Sequence, residues 1–327
     1  MTLAADTNLV TEQLADGLER VERAFEAQLS STFPSVDSLC RHAERYRGKM
    51  LRPTLLLLSG MGTSTGAPTF TEKHVVAAAT VEMIHMATLV HDDVLDEASM
   101  RRGGATVNFL RGNETAVILG DYLISNAFHL CSRVGDPALN LRLGEVTNAL
   151  CEGELVQLSR RHDLALDRAT YLEIVRRKTA VLVGACCEIG AKLSGASPSV
   201  TSACYSIGEK LGIAFQIQDD LLDLTGNEET VGKSIGRDLE KGKLTLPTIF
   251  SLERESGAAR VAVLRAIEAR DGDSLKALLL SSGAVESARD FARDIVQKAR
   301  LELTSLHQPQ VRAIFDSLAD QVVDRAR

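Results

Sequence analysis

Between His74 and Val90 the chain carries its most continuously apolar stretch, with Glu82 and His85 inside it, and then runs into His91-Asp92-Asp93-Val94-Leu95-Asp96. A helix built from that stretch must bury most of its surface, yet its end carries carboxylates. Asp92 and Asp96 are four residues apart and share a face. Like charges at that spacing weaken a helix modestly in water and far more where water is excluded. A compensating cation is therefore expected. Oxygen-only ligands suit a hard divalent ion, magnesium or calcium, better than zinc.

The pattern recurs 127 residues later, where the apolar run Ile207 to Phe215 leads into Gln216-Ile217-Gln218-Asp219-Asp220-Leu221-Leu222-Asp223. Asp219 and Asp223 share a face, with Gln216 one turn before Asp219. Two DDxxD motifs at the polar ends of apolar helices predict a carboxylate cage rather than two solvated helix ends.

Apolar residues recur at helical spacing almost throughout, and period-2 alternation is scarce. With aromatics at 4% and no Trp, an all-α chain is expected. The spacing predicts helices over about 6–30, 36–46, 51–60, 70–98, 114–134, 137–159, 168–195, 198–224, 247–255 and 258–270, and several more after 272. Asp136-Pro137 and Ser197-Pro198 read as caps followed by proline at the first helical position. Gly60 and Gly62 read as the close of an early helix. The 327 residues suit two domains by length alone, but no linker or solenoid repeat is visible, so a single all-α domain over 1–327 is expected.

The net charge of −7 argues against nucleic acid as a partner. The six cysteines show no CxxC and read as small core residues in a reducing compartment. The N-terminus turns acidic too early for a signal peptide. The His74–Val90 window falls short of the ~20 apolar residues a bilayer span needs. No transmembrane segment and a cytoplasmic location are the expectations.

Magnesium is usually completed by substrate phosphate, so phosphate-binding cations should accompany the aspartates. Lys49 and Arg52 lie three apart in Gly48-Lys49-Met50-Leu51-Arg52-Pro53, and Arg101-Arg102-Gly103-Gly104 follows the first motif. Lys178-Thr179, Lys233 and Lys243 add ammonium groups. His85 stands two turns before Asp92 on the same face, where a phosphate-facing role and a core role are both open. Glu82 and His85 also make an ExxH, but no second Glu stands three residues before a His, so a di-iron bundle is excluded.

In the order GKxxR, His-x6-DDxxD, RRG, GDYL, KT, FQxxDDxxD, GKSxGxD and GKxTLP, the chain from about 45 to 250 resembles the all-trans polyprenyl diphosphate synthases, most of all the medium- and long-chain type that makes quinone side chains. The resemblance implies a single-domain bundle of antiparallel helices around a deep central cavity, acting as a homodimer. It implies Mg2+-dependent condensation of isopentenyl diphosphate with an allylic diphosphate, farnesyl or geranylgeranyl, with roughly two to three Mg2+ ions held with the diphosphate. Lys49, Arg52, His85 and Arg102 match the isopentenyl diphosphate site. Asp92, Asp96 and Asp219 match the magnesium ligands, with Asp93, Asp220 and Asp223 supporting them. Arg101, Lys178, Thr179, Gln216, Lys233 and Lys243 match the allylic diphosphate contacts, and Lys178 and Lys233 join the three ligand aspartates as the catalytic set. The glycine-punctuated segment Thr225 to Lys243 is then expected to act as a lid that brings Lys233 onto the phosphates and excludes water.

In the family, bulky aromatics just before the first motif stop growth early. Ala87 and Thr88 are small, which implies a deeper pocket. At one helical turn per isoprene unit, the expected product has about six to ten units, C30–C50. Competing expectations are a short-chain synthase making farnesyl or geranylgeranyl diphosphate, a class I terpene cyclase or head-to-head synthase, and a non-catalytic subunit of a heteromeric synthase.

Overall fold

The computed structural model describes residues 2–226 and 236–323. Its elements are almost all helices: α1 Thr2–Leu29, α2 Pro34–Glu44, α3 Leu51–Thr63, α4 Glu72–Leu95, α5 Val107–Arg111, α6 Asn113–Ser132, α7 Pro137–Ser159, α8 Arg168–Val175, α9 Val181–Leu193 and α10 Pro198–Thr225. Then come α11 Arg237–Glu240, α12 Leu246–Arg254, α13 Gly257–Glu268, α14 Gly272–Ser281, α15 Ala284–Glu302 and α16 Pro309–Val323. A two-stranded antiparallel ribbon, β1 Met100–Arg101 and β2 Gly104–Ala105, follows α4. The chain divides into two compact units, one of Met1–Thr147, Leu182–Gly208 and Glu302–Asp316, the other of Asn148–Val181, Glu209–Leu301 and Ser317–Arg327.

In the first unit α4 is the central helix and packs on α6, α3 and α1. Its N-terminus is closed by a reciprocal cap. The Thr71 amide donates to His74 Nδ1 at 3.1 Å, which fixes the proton on Nε2 and directs it to the Gly190 carbonyl at 3.1 Å. Burial holds the His74 pKa below its ordinary value. By length and composition α4 passes as a membrane-crossing helix, but 72% of its most apolar window is buried inside the protein, so it is a core helix.

The expected helix boundaries hold to within a few residues, with two instructive departures. α3 runs through Gly60 and Gly62 to Thr63 instead of stopping there. These glycines provide room: a Cβ on Gly60 would lie 2.6 Å from the His74 ring, and one on Gly62 3.0 Å from Val311. α4 ends at Leu95, leaving Asp96 as its C-cap. Asp136 behaves as expected of a cap, its Oδ1 accepting the Ala138 amide at 2.9 Å. All six cysteines are free; five are buried and Cys151 is exposed.

In the second unit α12 packs against α8, α13 and α14. Here the helical rod running from α8 to α9 is interrupted by a single π-turn, Arg176–Ala180.

Candidate active site

In the first unit the site grows from the last turn of α4. The Asp96 amide bonds the Asp92 carbonyl at 2.8 Å, so the two carboxylates expected on one face do share it, both half-buried. Asp93 points elsewhere. It is 1% exposed, and Arg101 grips its Oδ1 through Nε at 2.9 Å and Nη2 at 2.8 Å. Burial raises the Asp93 pKa and Arg101 opposes that rise.

The ribbon β1–β2 separates the two arginines. Its turn residues Arg102 and Gly103 both have left-handed φ, 50° and 75°, as the two-residue turn that matches strand twist demands. Arg101 turns to Asp93, while Arg102 lays its guanidinium over Gly48, where a Cβ would lie 2.5 Å from Nη2. The GKxxR and RRG motifs therefore meet. Burial, then Arg52, Arg101 and Arg102, hold the His85 pKa well below 6.5. Glu82, 2% exposed, is embedded near Arg52, Arg102 and Arg47, with its pKa raised by burial. Lys49 is exposed beside Gly48. Arg52 and Arg102, with Lys49 next to the Gly48 that Arg102 covers, thus form a cationic cluster around a His85 whose protonation they oppose. Ala87 is fully buried; Thr88 is half-buried and donates to the His85 carbonyl at 2.7 Å.

In the second unit the π-turn carries Lys178 and Thr179 to a cavity also lined by Gln157, Gln216, Asp220 and Lys243. Such turns are favoured where an extra residue must be aimed at a site. Gly153 on α7 permits it, since a Cβ there would meet the Lys178 amide nitrogen at 2.6 Å. Lys178 Nζ donates to Gln157 Oε1 at 2.9 Å and pairs with Glu154. Thr179 donates to Gln216 Oε1 at 2.8 Å, and Gln216 Nε2 to Asp220 Oδ1 at 2.9 Å. The Tyr171 hydroxyl donates to Asp220 Oδ2 at 2.6 Å. Burial, helped by the Asp238 charge, pushes the Asp220 pKa up to about 7.

Asp223 Oδ2 accepts the Asp238 amide at 3.1 Å, and Asp219 is half-buried. Lys243 lies 3.9 Å from Asp238. Lys233, with residues 227–235 of the expected lid, falls outside the described residues.

Among the described residues no three His, Cys, Asp and Glu side chains gather into a ready metal cage. Half-buried carboxylate oxygens with basic side chains in the same units suit Mg2+, which takes few protein ligands and fills its shell with phosphate and water. Sequence reasoning passed over Tyr171 and Gly153, and weighed Glu82 only as half of an ExxH. Only Gly153, a glycine inside a helix, leaves a local trace.

The polyprenyl synthetase family model matches residues 34–279. A decaprenyl diphosphate synthase from Rhodobacter capsulatus has a TM-score of 0.89 to this structure at 36% identity, covering 98% of this chain and 99% of that one. A Caulobacter crescentus polyprenyl synthase, solved with calcium and isoprenyl diphosphate, has a TM-score of 0.88 at 33% identity, covering 100% and 98%. A geranylgeranyl pyrophosphate synthase from Geoglobus acetivorans is 34% identical over 97% of this chain and 99% of its own. The all-α architecture is that of these structures, and the chain is a prenyltransferase belonging to the polyprenyl synthetase family.

Proposed function

We propose that the protein adds isopentenyl diphosphate units successively, head to tail, to a farnesyl or geranylgeranyl diphosphate primer, giving an all-trans polyprenyl diphosphate of about C30–C50. The observation that carries this reading is that each DDxxD motif has its own group of basic and polar side chains within its own unit. Arg52, His85 and Arg102 with Lys49 suit one diphosphate; Lys178, Thr179, Gln216 and Lys243 suit another. A cyclase acting on one diphosphate has no use for both.

In the reaction the allylic C1–O bond breaks and its electron pair leaves with diphosphate. The isopentenyl double bond attacks C1, and the proton lost from C2 of the adduct passes to the released diphosphate. Asp92, Asp96 and Asp219 would hold Mg2+, which offsets the negative charge growing on the leaving group; the calcium in the Caulobacter structure supports a divalent ion. Lys178 and Lys243 would orient and neutralise the leaving diphosphate, a role that the family resemblance also gives to Arg101 and Lys233. Gln216 and Thr179 turn dipoles toward the allylic cation. Asp93 and Asp220 support the ligand aspartates by fixing Arg101 and Gln216, and Asp223 does so by holding Asp238.

Ala87 and Thr88, small at the start of the tail path, favour a long product, as does the decaprenyl relative. We read the chain as one domain, because α7, α9 and α10 each run through both units, and as cytoplasmic. A homodimer is supported by the exposed apolar residues Phe109, Leu110, Val117 and Ile118 on consecutive helices.

The test is incubation of pure protein and Mg2+ with labelled isopentenyl diphosphate and farnesyl diphosphate, with products sized after dephosphorylation. A ladder ending between about C30 and C50 is expected, and Ala87→Phe should shorten it. An end at farnesyl or geranylgeranyl length would keep the transfer and remove the pocket argument. No condensation would point to a missing partner subunit.

A further inference from the structure

In the second unit a chain of hydrogen bonds, buried at one end and partly buried at the other, ends on two of the groups assigned above to the allylic diphosphate. It begins outside them, at Tyr171 on α8, a side chain 5% exposed. The Tyr171 hydroxyl donates to one oxygen of Asp220 at 2.6 Å, and the other oxygen accepts Gln216 Nε2 at 2.9 Å. Gln216 turns its NH2 toward Asp220 and its carbonyl toward Thr179, the orientation that an ionised Asp220, which only accepts, requires. That carbonyl takes the Thr179 hydroxyl proton at 2.8 Å, which leaves the hydroxyl lone pairs to face elsewhere. The backbone under Thr179 is already set, since the π-turn lies against Gly153 with no room for a Cβ. What remains adjustable is the orientation of the amide and the hydroxyl, and Tyr171 is where that adjustment is anchored.

We propose that Tyr171 is a positioning residue for the allylic diphosphate, acting through Asp220 to fix the Gln216 amide and the Thr179 hydroxyl. The inference rests on the two-substrate reading above. Without the hydroxyl, Asp220 loses the donor on one oxygen and is free to rotate, so Gln216 and Thr179 lose a common orientation. The cationic cluster of the first unit shares no residue with this chain, so the consequences should be confined to one substrate.

The experiment uses the full chain. For wild type and Tyr171→Phe, kcat and the KM of each substrate are measured with Mg2+, together with the Kd of a non-ionisable farnesyl thiodiphosphate and of isopentenyl diphosphate. Supporting partners of this kind typically change affinity or activity by 10–100-fold. Tyr171→Phe should therefore lower kcat/KM for the allylic diphosphate roughly tenfold or more and weaken the thiodiphosphate, while isopentenyl diphosphate changes by less than about twofold. In a Gln216→Leu background, which cuts the chain downstream, Tyr171→Phe should add almost nothing. p-Aminophenylalanine at 171 keeps a donor of the same reach and should recover most of the allylic-side loss; it also carries the test should the phenylalanine variant fold poorly. Equal losses on both substrates, additive losses in the double variant, or no recovery with the amino analogue would overturn the proposal. A wild-type protein that neither condenses the substrates nor binds the thiodiphosphate would instead remove the reading on which it rests.

Discussion

The two DDxxD motifs have the same letters and the same helical placement, yet the middle aspartate of each is held differently. Asp93 is locked by the Arg101 guanidinium at 2.8 and 2.9 Å, so its charge is matched by another charge. Asp220 is held by a tyrosine hydroxyl and a glutamine amide, neutral donors that leave its pKa pushed up to about 7. In both motifs the middle carboxylate faces protein, while Asp92, Asp96 and Asp219 stay half-buried. On the proposed function the same motif would combine two tasks, ligand and anchor. What differs is the anchor's partner, which orients an arginine in one unit and an amide in the other.

Removing a ligand should cost most. Asp92→Ala or Asp219→Ala is expected to lower kcat by about 10³-fold with little change in Tm, and chelating the divalent ion should abolish turnover in the wild type. Steady-state kinetics beside thermal melts check both. Equal losses of activity and stability would mean that these residues are anchors too.

The anchors should differ from one another. Asp93→Asn leaves the Arg101 charge without its partner and should destabilise by about 3 kcal/mol. Asp220→Asn replaces one accepting oxygen by an NH2 that the Tyr171 hydroxyl can accept only by turning, but strands no charge, so it should cost about 1 kcal/mol, less than Asp93→Asn. Denaturant melts of the pair test this, and similar values would erase the distinction. Gly153→Ala, which forces a methyl against the Lys178 amide, should cost about 1–3 kcal/mol.

The smallest effect concerns pH. His85 sits among Arg52, Arg101 and Arg102, and its folded pKa lies well below 6.5. As pH falls through 6.5 the unfolded chain therefore takes up the proton first, so His85 weakens the fold below that pH and has no effect above it. His85→Gln should flatten the stability slope between about pH 6.5 and 5. An unchanged slope would show that the cationic cluster does not act on this ring.

The helices were legible because their apolar spacing is local, and the ligand aspartates because their own spacing puts them on one face. Local spacing could not reveal which aspartate of each motif turns inward. Asp93 meets Arg101 only because Arg102 and Gly103 both accept left-handed φ in the β1–β2 turn. Asp220 meets Tyr171 across 49 positions of sequence. Gly60 and Gly62 misled because a glycine that ends a helix and one that admits a neighbour look alike without the neighbour. The π-turn was equally hidden: Lys178-Thr179 reads as ordinary helix, and its cause lies at Gly153.

The central claim is that two separate diphosphate seats exist, and simultaneous binding tests it most directly. Isopentenyl diphosphate and farnesyl thiodiphosphate, titrated together with Mg2+ into wild type, Arg52→Ala and Lys178→Ala, should each bind once per chain without competing. Arg52→Ala should weaken only the isopentenyl compound, and Lys178→Ala only the allylic one. Mutual displacement, or either substitution weakening both ligands alike, would mean a single seat and contradict the account.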